Sequence, residues 1–210
     1  MIMMLYKILR IILFLSATSV QADSGSERLN HFMQNVKTLD TAFTQEVMSE
    51  DGEITQASQG RFMLSRPGKF RWEYQKPTPQ EIISDGMSLW IYDKELEQVT
   101  VKPLSEVIGS SPAAILMQQS DLSKDYQILD QSSQEGLDWV ALNPLDKNGD
   151  FIQILIGLNA KGIQAMDLHD QFGQITKIRF QQSEFNTSIN GENFKFTPPV
   201  GVDVIGQPAT

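Results

Sequence analysis

The chain has 210 residues and no cysteine, which excludes disulfides, thiol nucleophiles and thiolate-ligated metals. It also excludes an acylated N-terminus, because a bacterial lipoprotein carries its acyl chains on a cysteine. Histidine is nearly as scarce: His31 and His169 are the two present, and they lack the H-x-x-x-H spacing of a metal site. There is no G-x-S-x-G elbow and no phosphate-cradling glycine loop. "DKNGD", Asp146 to Asp150, lacks the Glu that a calcium loop needs at its twelfth position and reads as an Asn-Gly hairpin turn. With no cluster of attacking, proton-moving or metal-binding groups, no catalysis, metal or cofactor is expected.

Positive charge is short as well. Lys and Arg number 17 against 26 acidic residues, a net charge of −9, so nucleic acid and anionic headgroups are repelled. Long apolar runs are missing too. Ile11-Ile12-Leu13-Phe14-Leu15 is far below the about 20 apolar residues that span a bilayer. Preceded by Lys7 and Arg10 and followed by small residues up to Ala22, it reads as a signal peptide over residues 1–22, cleaved before Asp23. Its removal leaves 188 residues with a formal charge of −11, enough for one exported, soluble domain over residues 23–210.

What is present begins with a helix. Ser24-x-x-Glu27 makes a capping box, and Leu29, Phe32, Met33, Val36 and Leu39 recur at helical spacing. From Thr41 the period changes to two, broken by Asp51-Gly52, Asp85-Gly86, Asn148-Gly149, Lys161-Gly162 and similar turns. Strands are expected over residues 41–48, 54–64, 69–75, 80–84, 89–93 and 98–102. Further strands are expected over 126–130, 137–143, 151–158, 163–170, 175–185 and 193–197. Such a meander predicts a mainly β fold, an incomplete antiparallel β-barrel of about eleven strands. The alternation stops between Pro103 and Asp125, where Ser110-Ser111-Pro112 and the apolar Ala113-Ala114-Ile115-Leu116-Met117 predict a short helix covering the sheet.

Composition is unusual from Phe62 to Tyr92. Phe62, Leu64, Phe70, Trp72 and Tyr74 share even-numbered positions on adjoining strands, and Leu89, Trp90, Ile91 and Tyr92 are apolar on both faces. They form either an ordinary core or, because so many strands enclose more than two short helices fill, a hydrophobic cavity. Arg66 is in step with these aromatics, and an inward arginine needs its donors satisfied. Two partners are open: the unpaired carbonyls at a helix C-terminus, making a latch, or an acidic side chain at the surface.

The stretch "SRPGKFRWEYQKPTPQEIISDGMSLWIYDKELEQV", Ser65 to Val99, resembles the periplasmic outer-membrane lipoprotein carrier family (LolA). The resemblance extends to "LDTAFTQEV", Leu39 to Val47, and "FKFTPPVGVDV", Phe194 to Val204. It implies a half-barrel with a helical lid over a cavity for lipoprotein acyl chains. It also implies a monomeric carrier in the periplasm, loaded by an inner-membrane ABC-type lipoprotein-releasing complex and unloaded by an outer-membrane lipoprotein receptor. Arg66 falls on the family's lid arginine, Phe70 and Trp72 on its motif aromatics, and Met33 on a cavity-facing position. Ala114, Ile115, Leu116 and Met117 fall on the lid, although Ala113-Ala114 stand where bulkier residues are expected. Absence of cysteine separates a carrier from the receptor. A lipid or glycolipid binder or sensor of the same fold is the alternative, and a lipid hydrolase is disfavoured for want of a nucleophile and base.

Overall fold

The Ser24 hydroxyl accepts from the Glu27 N–H at 3.2 Å while the Glu27 carboxylate accepts from the Ser24 N–H at 2.8 Å. This reciprocal cap starts α1 (Gly25–Asn35), whose Leu29, Phe32 and Met33 are buried. The computed structural model describes residues 24–106, 112–117 and 121–209. The expected signal peptide, its cleavage site before Asp23, and the expected capping residues Ser110 and Ser111 lie outside the described residues. Leu39 does not continue the helix, because the chain becomes extended at the cap Val36 (φ −83°, ψ 115°) and Leu39 enters the first strand.

The strands are β1 (Thr38–Met48), β2 (Ile54–Ser65), β3 (Lys69–Lys76), β4 (Gln80–Asp85), β5 (Ser88–Asp93) and β6 (Gln98–Pro103). After the short helix α2 (Pro112–Met117) come β7 (Tyr126–Asp130), β8 (Asp138–Pro144), β9 (Phe151–Asn159), β10 (Gly162–Asp170), β11 (Ile175–Phe185) and β12 (Asp203–Gly206). They form one sheet in the order β12-β6-β5-β4-β3-β2-β1-β11-β10-β9-β8-β7. Two antiparallel meanders, β1 to β6 and β11 back to β7, are joined by the β1 and β11 pair. β6 and β7 do not pair, so the barrel stays unclosed, and the connection between them carries α2.

Two features depart from the expected strands. Residues 193–197 form no strand; a 3-10 turn, Gly191–Phe194, leads into an extended segment there, and Phe194 is 2% exposed. The twelfth strand is instead β12, which pairs with β6 in parallel, Asp203 opposite Gln98. An extended segment lying flat on a sheet alternates apolar residues as a strand does, so periodicity alone does not separate the two.

One face of the sheet carries a single apolar cluster that runs from Leu89 on β5 through Phe62, Phe43 and Phe180 to Val140 on β8. Strands that distant share one core only if the sheet curls, so this is the concave face. α1 packs against β7 to β10, and α2 lies against β3. The convex face is also buried where Met63, Ile83, Val99 and Val101 lie, and the C-terminal 3-10 turn packs there on β3 and β4.

Candidate functional site

Arg66 is not on a strand. The last β2 to β3 pair is Ser65 with Lys69; Pro67 then supplies no N–H for a ladder, and Gly68 turns the chain back at φ +74°. The sequence expectation that strand alternation aims Arg66 inward is therefore corrected. The hairpin turn aims it, fixed by an Arg66 N–H bond to the Lys37 carbonyl at 2.9 Å.

The side chain is 8% exposed and reaches two helices. Its Nη1 donates to the carbonyls of Phe32 (3.1 Å), Met33 (3.0 Å) and Val36 (2.6 Å) at the end of α1. Its Nε and Nη2 both donate to the Leu116 carbonyl of α2, at 3.1 and 2.7 Å. The Met33 sulfur accepts from Nη2 at 3.5 Å, and the guanidinium lies 5.1 Å from the centre of the Phe32 ring. α1 has no basic residue in its last turn, so its terminal carbonyls present an uncompensated negative end, which a guanidinium satisfies. Burial lowers the Arg66 pKa to about 10, leaving the group charged at neutral pH.

Beneath this clasp lies an aromatic column. Phe62 faces Trp72 across the β2 to β3 pair, and Leu64 faces Phe70. Trp72 packs on Phe62 at 4.8 Å and on Phe43 at 4.7 Å between ring centres, and Phe43 meets Tyr74 edge-on at 5.4 Å. Gly60 permits the stack: a Cβ there would stand 1.8 Å from the Glu73 carbonyl oxygen and 3.0 Å from the Phe43 ring. The column ends at Tyr74, whose hydroxyl donates to Gln45 Oε1 at 3.1 Å and whose pKa burial pushes up to about 12.

Of the residues singled out in the sequence, Met33, Phe62, Leu64, Phe70, Trp72 and Tyr74 come together here. Ile115, Leu116 and Met117 are buried against the same cluster, and Ala114 lies with them in α2. Trp90 does not join. Register places it opposite Ile83 and Val101 on the convex face, where its ring lies 5.6 Å from Phe196 and its indole N–H donates to Asp85. The C-terminal segment covers β5 from outside, which is why that strand is apolar on both faces. Phe32 was read as part of the apolar face of the first helix but not as a site residue, and Phe43 was not singled out, although the period-two pattern running back from Val47 places it inward. Among the described residues, no group of three or more His, Asp or Glu is placed to hold a metal.

Residues 34–197 match the family model described as outer membrane lipoprotein carrier protein LolA. An outer-membrane lipoprotein carrier protein of Dechloromonas aromatica is 43% identical over 181 residues, 86% of this chain and 87% of that one. One of Nitrosospira multiformis is 42% identical over 195 residues, 92% and 94% of the two chains. Among solved structures, an uncharacterised conserved protein from Thermus thermophilus shares the fold at a TM-score of 0.57 and 14% identity, covering 86% of this chain and 97% of that one. On the extent of these matches, the chain belongs to the outer-membrane lipoprotein carrier (LolA) family.

Proposed function

We infer that the chain is a carrier, a single domain over residues 23–210 that takes up the acyl chains of lipoproteins and hands them to an outer-membrane receptor. The observation that carries this reading is the clasp: one buried arginine holds the backbones of α1 and α2 together over a column of apolar side chains. Its relatives of about 40% identity bear the carrier name. The protein works in the periplasm as a monomer. It is loaded by an inner-membrane ABC-type lipoprotein-releasing complex and needs neither cofactor nor catalysis.

Burying one acyl chain of about fifteen methylenes is worth on the order of 12 kcal/mol at ~0.8 kcal/mol each. A lipoprotein therefore does not cross water unaided, and a carrier that gained all of that energy would not let go. In this structure the α2 side chains cover the aromatics, so a ligand must first part α2 from them and break the Arg66 bonds. Those bonds stabilise the empty closed state, and binding is weakened by the same amount.

Incubation with inner-membrane spheroplasts should release lipoproteins into solution in one-to-one complex with the wild-type chain. Arg66→Leu removes the directional bonds but keeps an apolar contact. The variant should load, then transfer to the receptor about 10 to 100 times more slowly, tenfold for each 1.4 kcal/mol of closure lost. Transfer at the wild-type rate would remove Arg66 from this role, and absence of any soluble complex would remove the carrier reading itself.

A further inference from the structure

The concave face is not apolar throughout. Inward positions run from Leu64 and Phe62 to Ser58 and Gln56 on β2, from Leu39 and Phe43 to Gln45 on β1, and from Phe70 and Trp72 to Tyr74 on β3. Gln45 stands opposite Ser58, and Tyr74 opposite Gln80. At the strand ends away from Arg66, these side chains line a half-open pocket of about 270 Å³. Two of its lining residues, Tyr74 and Ile82, pack on the core cluster, so it borders the apolar interior.

The pocket's chemistry is uniform. Every polar side chain in its lining is an amide or a hydroxyl, and none is charged. Lys76, the cation nearest along β3, is exposed and outside the lining. Next to it, the Trp72 indole N–H is a buried donor without a hydrogen-bond partner, on a side chain 3% exposed. It lies near the Tyr74 hydroxyl oxygen but completes no hydrogen bond to it. A donor stranded at the boundary between a greasy column and a polar collar suits a carbonyl oxygen that arrives with a ligand.

Neutral donors and acceptors satisfy an ester or amide carbonyl well. A phosphate is another matter, because stripping its water without a cation to meet it is costly. We propose that this collar seats the uncharged glyceryl ester and first peptide groups of an acylated chain, and disfavours phospholipids with the same acyl chains. The proposal rests on the carrier reading and adds what the carrier selects.

Three probes separate the possibilities: a tripalmitoylated cysteinyl peptide, dipalmitoylglycerol, and dipalmitoyl phosphatidylglycerol, each displacing a fluorescent fatty acid from the purified chain. The first two should bind at least about tenfold more tightly than the phosphatidylglycerol. Gln45→Lys puts a cation in the collar and should bring phosphatidylglycerol to within about twofold of dipalmitoylglycerol. Gln80→Lys, from the opposite wall, repeats the test should Gln45→Lys not fold. Equal binding of all three probes to wild type, or an unchanged ratio in a folded Lys variant, would sink the collar and leave the carrier intact. Failure of every probe to bind would sink both.

Discussion

Arg66 and Arg71 stand five positions apart and serve opposite faces of the same sheet. Arg66 enters the concave side and meets carbonyl oxygens and one thioether sulfur. Arg71 lies on the convex side and meets the carboxylate of Glu81, which also takes Lys94, and the Asn193 carbonyl at 3.3 Å. Parting Arg71 from Glu81, which is 6% exposed, leaves an acid buried without one of its partners. Parting Arg66 from Leu116 leaves a carbonyl and a guanidinium that water can satisfy once the lid lifts. The first contact is therefore the costlier to break, and the second is the one that the proposed opening would part.

Trp72 and Trp90, two of the three tryptophans, test that contrast most severely. Trp72→Ala removes a side chain packed between Phe62 and Phe43 and should cost about 3 to 5 kcal/mol in denaturant unfolding, with loss of lipopeptide loading. Trp90→Ala, half-buried against Phe196, should cost about 1 to 2 kcal/mol and leave loading alone. Equal damage to loading from both would mean that the convex face takes part in binding and that the division proposed here is wrong.

Trp90 also marks where the sequence stops being legible. Period-two spacing placed Phe70, Trp72 and Tyr74 on one face, because the outward Arg71 and Glu73 of β3 are charged and the strand alternates. Leu89 to Tyr92 is covered on both sides, by the core and by the segment around Phe196, so alternation vanishes and with it any means of choosing a face. Arg66 was legible as an inward charge for the wrong reason: a turn aims it, not a pleat. The capping box was read correctly because it is local, three residues from end to end. The parallel pairing of β12 with β6 joins residues about a hundred positions apart through four exposed residues, and no local signal announces it.

Conservative replacements on the two faces should part stability from lid motion. Glu81→Gln keeps shape but takes the carboxylate from Arg71 and Lys94; unfolding free energy should fall by about 2 kcal/mol with lipopeptide exchange unchanged. Arg66→Lys keeps the charge, but one ammonium cannot reach three carbonyls of α1 and one of α2 together. Opening should become easier by about 1 to 2 kcal/mol, read as faster amide hydrogen exchange at residues 113–117 of α2 at fixed pH with little change in global unfolding. If Glu81→Gln sped exchange in that helix as much as Arg66→Lys did, the two faces would be coupled.

The smallest expected effect is one of pH, and its sign distinguishes the two kinds of arginine contact. Burial holds the Arg66 pKa at about 10, below that of a solvated guanidinium. Opening exposes the group and lets it bind protons more tightly, so raising the pH through about 10 favours the closed form, and below that window the proton count is the same in both states. A clasp made of carbonyls should therefore be flat from about pH 5 to about pH 9, which the methyl resonances of Ile115 and Leu116 can follow. An acidic partner would behave differently: its pKa would be depressed on closing, and closure would weaken as pH fell through the carboxylate range near about 4. Lid methyls that shift toward an open form on mild acidification would thus place a carboxylate in the latch and overturn the contrast between Arg66 and Arg71.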